Sequence, residues 1–172
     1  GKTIQAIAVA AYYRDEWPLL IITPSSLRLQ WAEQLERWLG DIPSQDINVV
    51  MTGKCDVRAP VNIISYDLVT KLAPKIETVN FKVVICDESH FLKSYSAKRT
   101  KSVIPILQRA KRALLLTGTP AVSRPVELFP QLSAIRPDLF PYFGSFGARY
   151  CNGHKNQFQR WDYSGNAHLK EL

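Results

Sequence analysis

Apolar residues fall along this chain in two rhythms, short unbroken runs and stripes at helical spacing. Ile4, Ile7, Ala8 and Ala11 share one stripe and predict a helix over 4–13, which Trp17 and Pro18 end. Residues 19–23 form a continuous apolar run of the kind buried in a parallel strand. Pro24, Ser25 and Ser26 follow, with a hydroxyl placed to cap the next helix. Leu27, Trp31, Leu35 and Trp38 recur along that helix until Gly40 stops it. Strands are predicted at 47–51 and 61–65, with Gly53 and Pro60 between them. A helix over about 67–72 ends before Pro74, because proline removes an amide donor and clashes with the preceding turn. Beyond it come a strand over 81–86, a basic helix over about 96–109, a strand over 113–117 and a helical segment over 125–135. The aromatic, glycine-containing remainder reads as irregular. Short apolar strands alternating with helices imply βαβ units. The expected fold is one α/β domain, its mostly parallel sheet covered by helices on both faces.

Composition narrows the class further. Of the 172 residues 46 % are hydrophobic and 22 % charged, which excludes a disordered tail. No apolar run approaches the roughly 20 residues that span a bilayer, so no membrane partner is expected. Cys55, Cys86 and Cys151 are odd in number and form no Cys-x-x-Cys pair; a reducing compartment fits better than a disulfide framework. The chain opens on Gly1-Lys2-Thr3 without Met or leader, the expected look of a piece of a longer protein. Its net charge of +7 lies entirely in the second half, where residues 87–172 hold thirteen Lys/Arg against six Asp/Glu. Seven bases and no acid lie between Lys93 and Arg112. Charge alone leaves two readings open, a solvated face or a surface for a polyanion.

Three polar clusters fall where an open α/β sheet binds ligands, beyond the carboxyl ends of its strands. Gly1-Lys2-Thr3 opens the first helix and matches the end of a P-loop, whose earlier positions would precede residue 1. Free amides and the dipole at that helix start favour a phosphate. Asp87-Glu88 follows the strand over 81–86, and two adjacent carboxylates there repel unless a cation joins them. Magnesium supplies that cation, with Asp87 holding the metal and Glu88 free to orient and deprotonate a water. Paired with Lys2 and Thr3, they read as Walker A and Walker B. Thr117-Gly118-Thr119-Pro120 follows the apolar strand residues 113–116, and His90 is placed to hydrogen-bond Thr117 or Thr119 across the strand ends. Cys151 and His154 have the spacing of half a zinc site, but no second pair accompanies them.

The segments 19–24 (LLIITP), 87–90 (DESH) and 114–120 (LLLTGTP) resemble motifs Ia, II and III of superfamily 2 helicase-like ATPases. The Thr-Gly-Thr-Pro form resembles the SNF2 family of double-stranded DNA translocases, and 61–67 (VNIISYD) is similar to its motif Ib. Residues 16–20 (EWPLL), 24–27 (PSSL), Ser89, 119–125 (TPAVSRP), 149–152 (RYCN) and 161–165 (WDYSG) resemble one branch, the HepA-related annealing helicases.

That resemblance implies a recA-like lobe that takes ATP and Mg2+. Gly1, Lys2 and Thr3 would bind the nucleotide, Thr3 and Asp87 the metal, and Glu88 would be the base, with Lys2 and Asp87 beside it in the catalytic set. His90, Thr117, Gly118 and Thr119 would couple hydrolysis to DNA movement. Thr23, Pro24, Ser25 and Ser26, with Ser65 and Tyr66, would touch the DNA backbone, which positions a strand without reading its sequence. The basic helix adds Lys98, Arg99 and Lys101 as candidates from the charge pattern. The implied partners are double-stranded or forked DNA and a second helicase lobe beyond residue 172, with arginines that this chain would lack. The implied setting is the nucleus and replication-fork repair, a bacterial cytoplasm being the other possibility. A strand-separating or restriction-type helicase and an inactive DNA-binding scaffold stay open as alternatives.

Overall fold

A computed structural model describes residues 1–119 and 124–172, so Pro120 of the Thr-Gly-Thr-Pro motif and residues 121–123 lie outside the described residues. The chain starts directly in helix α1 (Lys2–Tyr12) and enters strand β1 (Leu19–Thr23), followed by α2 (Arg28–Trp38) and the short β2 (Ile47–Val49). Strand β3 (Val61–Ser65) leads into α3 (Tyr66–Val79), then β4 (Val83–Asp87), α4 (Lys98–Arg109) and β5 (Arg112–Leu116). The last third holds α5 (Phe129–Ile135), α6 (Phe143–Tyr150) and a two-strand ribbon, β6 (His154–Lys155) and β7 (Trp161–Asp162).

Five strands form one parallel sheet in the order β2-β3-β1-β4-β5. Side chains alternate across it, and the two faces bury different partners. Leu20, Ile22, Ile64, Val84 and Cys86 point to one face and pack with residues of α3 and α4. Leu19, Ile21, Val61, Ile63, Val83 and Ile85 point to the other and pack with α1 and α2. The strands are mostly apolar because both faces are covered; the buried Asn62 of β3 is hydrogen-bonded to Asn48 of β2 and to the Ala59 carbonyl. Each apolar side chain contributes about 1.5–3 kcal/mol on burial. The layered α/β prediction holds.

Local differences have physical reasons. Helix α3 does not stop at Pro74 but runs to Val79, where Asn80 takes the left-handed conformation (φ 56°). Pro74 is solvent-exposed, so the carbonyl it leaves unpaired can meet water, while Val69, Leu72 and Ile76 continue one buried stripe past it. A mid-helix proline costs about 3 kcal/mol, and burying Ile76 alone returns about 1.5–3 kcal/mol. The anticipated hydroxyl cap of α2 is absent; residues 25–27 make a 3₁₀ turn and α2 starts at Arg28 with no side-chain cap. Trp38 does not join the core: it is 47 % exposed, and its indole N–H donates to Gln34 on its own helix.

The region read as irregular contains α6. It packs through a third, aromatic cluster of Phe129, Phe146 and Cys151, flanked by Phe140, Phe143, Tyr150 and Tyr163. Tyr163 lies so close to α6 that a Cβ on Gly147 would sit 2.5 Å from its ring. Only glycine fits there.

Candidate functional site

The parallel sheet brings the carboxyl ends of β3, β1 and β4 together, with Ser65, Thr23 and Asp87 as their last residues. The amino end of α1 faces the same edge. Its first turn carries no acid and Gly1 offers no side-chain cap, so its leading amides remain available to an anion. Gly1, Lys2, Thr3, Asp87 and Glu88 line one cavity of about 210 Å³, together with Leu27, Gln30 and Trp31. Residues separated by about half the chain thus converge.

Asp87 is the most tightly held of them. Its Oδ2 accepts from the Trp31 indole N–H at 2.8 Å and lies 3.4 Å from the Thr23 hydroxyl, which donates to it. Its Oδ1 accepts from the backbone N–H of Glu88 at 3.0 Å, and its carbonyl accepts from the Tyr66 hydroxyl at 2.7 Å. The carboxylate is 7 % exposed and still lines the cavity. A buried carboxylate without such donors would be desolvated and unpaired. Here the donors fix its orientation. Burial, reinforced by the neighbouring Cys86 and Asp87, pushes the Tyr66 phenol well above its ordinary range, so it remains a donor. Burial likewise pushes the Cys86 thiol up, which leaves Cys86 a small, inert core side chain.

Glu88 stands in the left-handed backbone region, φ 49° and ψ 50°. A non-glycine residue there carries roughly 1–3 kcal/mol of strain, a feature that concentrates at functional sites. The turn swings the chain off the strand end and leaves the Glu88 side chain partly exposed beside the cavity. His90 Nδ1 lies 3.2 Å from Glu88 Oε2 and 3.0 Å from Thr117 Oγ1. The Thr117 oxygen also accepts from the Thr119 backbone N–H at 3.1 Å. Of the two partners considered for His90, the hydrogen bond goes to Thr117. Gly118 lies near the site as well, since a Cβ built on it would sit 3.8 Å from Lys2 Nζ. Ser89 donates to Gln131 of α5 at 2.7 Å and anchors the acidic box from behind.

The candidate DNA contacts divide. Thr23 is fully buried and spent on Asp87; Ser65 is buried and caps α3 by accepting from the Leu68 N–H; Tyr66 is 2 % exposed and bonded to Asp87. The side chains of these three make their hydrogen bonds within the domain, to Asp87 and to the start of α3. Ser25 and Ser26 are exposed and Pro24 is partly so, which keeps that turn available. On α4, Lys98 and Lys101 are exposed, whereas Arg99 is partly buried, its guanidinium 5.5 Å above the Phe91 ring and 3.8 Å from Asp67. Trp31 was missed as a site residue because it also completes the apolar stripe of α2. A buried indole N–H needs an acceptor, and an acidic strand end was the signal that could have found it. Cys151 is buried while His154 is exposed with Nδ1 against the Asn152 carbonyl; no group of three metal-ligating residues occurs among the described residues.

A helix start, a lysine, a threonine and two carboxylates around one polar cavity at the switch edge of a parallel sheet define a P-loop-type nucleotide-binding lobe. The SNF2-related domain family matches residues 1–161, and the chain belongs to that family. It is 53 % identical over 173 residues to the SWI/SNF-related matrix-associated actin-dependent regulator of chromatin subfamily A-like protein 1 of Xenopus laevis, covering all of this chain and 18 % of that protein. It is 48 % identical over 183 residues to the DNA annealing helicase and endonuclease ZRANB3 of Mus musculus, covering all of this chain and 17 % of the relative. This chain therefore spans under a fifth of the length of these two relatives. Among solved structures, the Sulfolobus solfataricus SWI2/SNF2 ATPase core in complex with dsDNA shares the fold with a TM-score of 0.74 and 20 % identity, over 88 % of this chain and 32 % of that one.

Proposed function

We propose that this chain is the ATP-binding lobe of a DNA-dependent translocase of the annealing-helicase kind. It works with a second lobe, acts on duplex or forked DNA without reading sequence, and serves fork repair in the nucleus. The observation that carries this is the meeting of Lys2, Thr3, Asp87 and Glu88 around one cavity, in a member of the SNF2-related family. The donor chemistry fits a magnesium nucleotide: a cation and free amides for phosphate, and a hydroxyl and an oriented carboxylate for the metal. Magnesium held there by Thr3 and Asp87 would neutralise charge on the phosphates.

The chain's own residues do the rest. Lys2 draws the phosphates to the start of α1. Trp31 and Thr23 hold the Asp87 carboxylate in one orientation toward the cavity. Glu88, kept out of the strand by its left-handed turn, orients a water and accepts its proton. His90 senses Glu88 on one side and Thr117 on the other, so a change at the acidic box is felt at residues 117–119. The exposed Ser25 and Ser26, with Lys98 and Lys101, supply contacts to DNA phosphates.

The test uses the full-length protein. Lys2→Ala weakens nucleotide binding and abolishes turnover. Glu88→Gln keeps nucleotide affinity while turnover drops about 10²–10⁴-fold, the usual contribution of a general base. Near-normal turnover in Glu88→Gln removes Glu88 from that role.

A further inference from the structure

A second cavity lies between the chain that follows the acidic box and the elements around α4, α5 and α6. Lys93 and Tyr95 come from the chain after the acidic box, Arg124 from the chain after Thr119, and Lys101, Phe129 and Phe143 from α4, α5 and α6. The cavity holds about 850 Å³ and shares no lining residue with the nucleotide cavity. Its described lining carries three bases and one acid, Glu127, which has an interaction of its own. Tyr95 is 52 % exposed, yet its ring leans on Phe129 at 5.7 Å, and Phe129 packs on Phe143 at 5.3 Å. An aromatic face is thus held on a rigid base among cations.

We propose that this groove binds a short stretch of unpaired DNA, with phosphates on Lys93, Lys101 and Arg124 and a base stacked on Tyr95. Cations along a groove follow a nucleic-acid backbone, and an exposed ring accepts any base because every base has a π-face. A duplex keeps its bases stacked inside and could bring only phosphates to the rim. Lys93 follows Glu88 of the nucleotide cavity by five residues, so a strand seated here adjoins the segment that leaves that site. This rests on the reading of the chain as a lobe of a DNA-acting ATPase, although the groove's occupancy is measured by binding, not by turnover.

The experiment compares full-length wild-type protein with Tyr95→Ala, Tyr95→Phe and Lys93→Glu. The probes are a labelled single strand, the same strand without bases, and the matching duplex. Tyr95→Ala is expected to weaken the single strand about fivefold or more, the low end of a stacked-base contribution, and to spare the abasic strand and the duplex. Tyr95→Phe keeps the ring and restores binding. Lys93→Glu weakens the single and abasic strands alike and flattens their salt dependence. A strand carrying a photoreactive pyrimidine crosslinks to Tyr95 in the wild type. Absence of that crosslink, equal losses on all three probes in Tyr95→Ala, or displacement of the strand by an acidic peptide of equal charge overturns the proposal. Nucleotide titration of the same samples separates its failure from that of the ATPase reading.

Discussion

The sheet region, residues 1–116, and the aromatic region, residues 124–172, bury their apolar surface by different means. In the first, the alternation of the strands sorts side chains into two large clusters, one on each face of the sheet. In the second, three buried residues are surrounded by rings 4.9–6.0 Å apart between short elements. A parallel sheet places the ends of distant strands side by side, so it fixes Thr23, Ser65 and Asp87 as a set. An aromatic cluster fixes only the rings that touch. The difference explains why the tightly held site lies at the strand ends, while the aromatic region supplies the floor of an open groove.

The largest predicted effect tests the first half of that comparison. Ile21 is fully buried in the central strand, and Ile21→Ala should destabilise the domain by about 2–5 kcal/mol. Chemical denaturation checks it; a loss under 1 kcal/mol means the sheet does not carry the core. Next, Gly147→Ala forces a methyl against Tyr163 and should destabilise by about 1–3 kcal/mol. That loss should stay local. Hydrogen exchange should rise over 129–163 while 19–23 and 61–65 remain protected, and uniform loss of protection would join the two regions into one cooperative unit.

Trp31→Phe keeps an aromatic side chain but removes the N–H bonded to Asp87 and part of the buried indole. Because Asp87 borders a cavity, water can replace the indole donor, so the stability loss from the missing hydrogen bond should be about 1 kcal/mol. Magnesium affinity should fall about tenfold, as it does when a group supporting a metal ligand is removed. Unchanged affinity beside normal stability would show that Trp31 only packs.

The smallest effect is a surface one. Hydrogen bonds from Arg112 and Lys111 hold the Glu16 carboxyl down at about 2. With the folded value depressed below 4.5, this contribution is present above the unfolded pKa and fades as pH falls toward 2. Glu16→Gln should therefore lower stability slightly at pH 7 and not at pH 2; an equal loss at both would exclude the ion pairs as its cause.

Strands β1 and β3 were legible to the residue, since a short, largely apolar segment bounded by Pro18 and Pro24, or opened by Pro60, reads as a buried strand. The convergence of Lys2, Thr3, Asp87 and Glu88 was legible from the pairing of Gly-Lys-Thr with an acidic strand end, and His90 was legible as a partner of Thr117 or Thr119, between which only the structure chose. Helix α6 was not. Its stripe is built of Phe and Gly rather than strong helix formers, and it exists by packing on Phe129 and Tyr163. The extension of α3 past Pro74 depended in the same way on a neighbouring face for Ile76 to enter.

What the sequence determined by itself was the period of each segment and the presence of Lys2, Thr3, Asp87 and Glu88 as candidate site residues. Only the tertiary structure decided which polar groups turn inward. Trp31, Thr23 and Tyr66 reach Asp87 from 56, 64 and 21 positions away. A hydrophobic period says that a side chain faces the core, but strand order decides what it meets there. Strand order and the packing of α2 bring the Thr23 hydroxyl and the Trp31 indole N–H to the Asp87 carboxylate, and the Tyr66 phenol to the Asp87 backbone carbonyl.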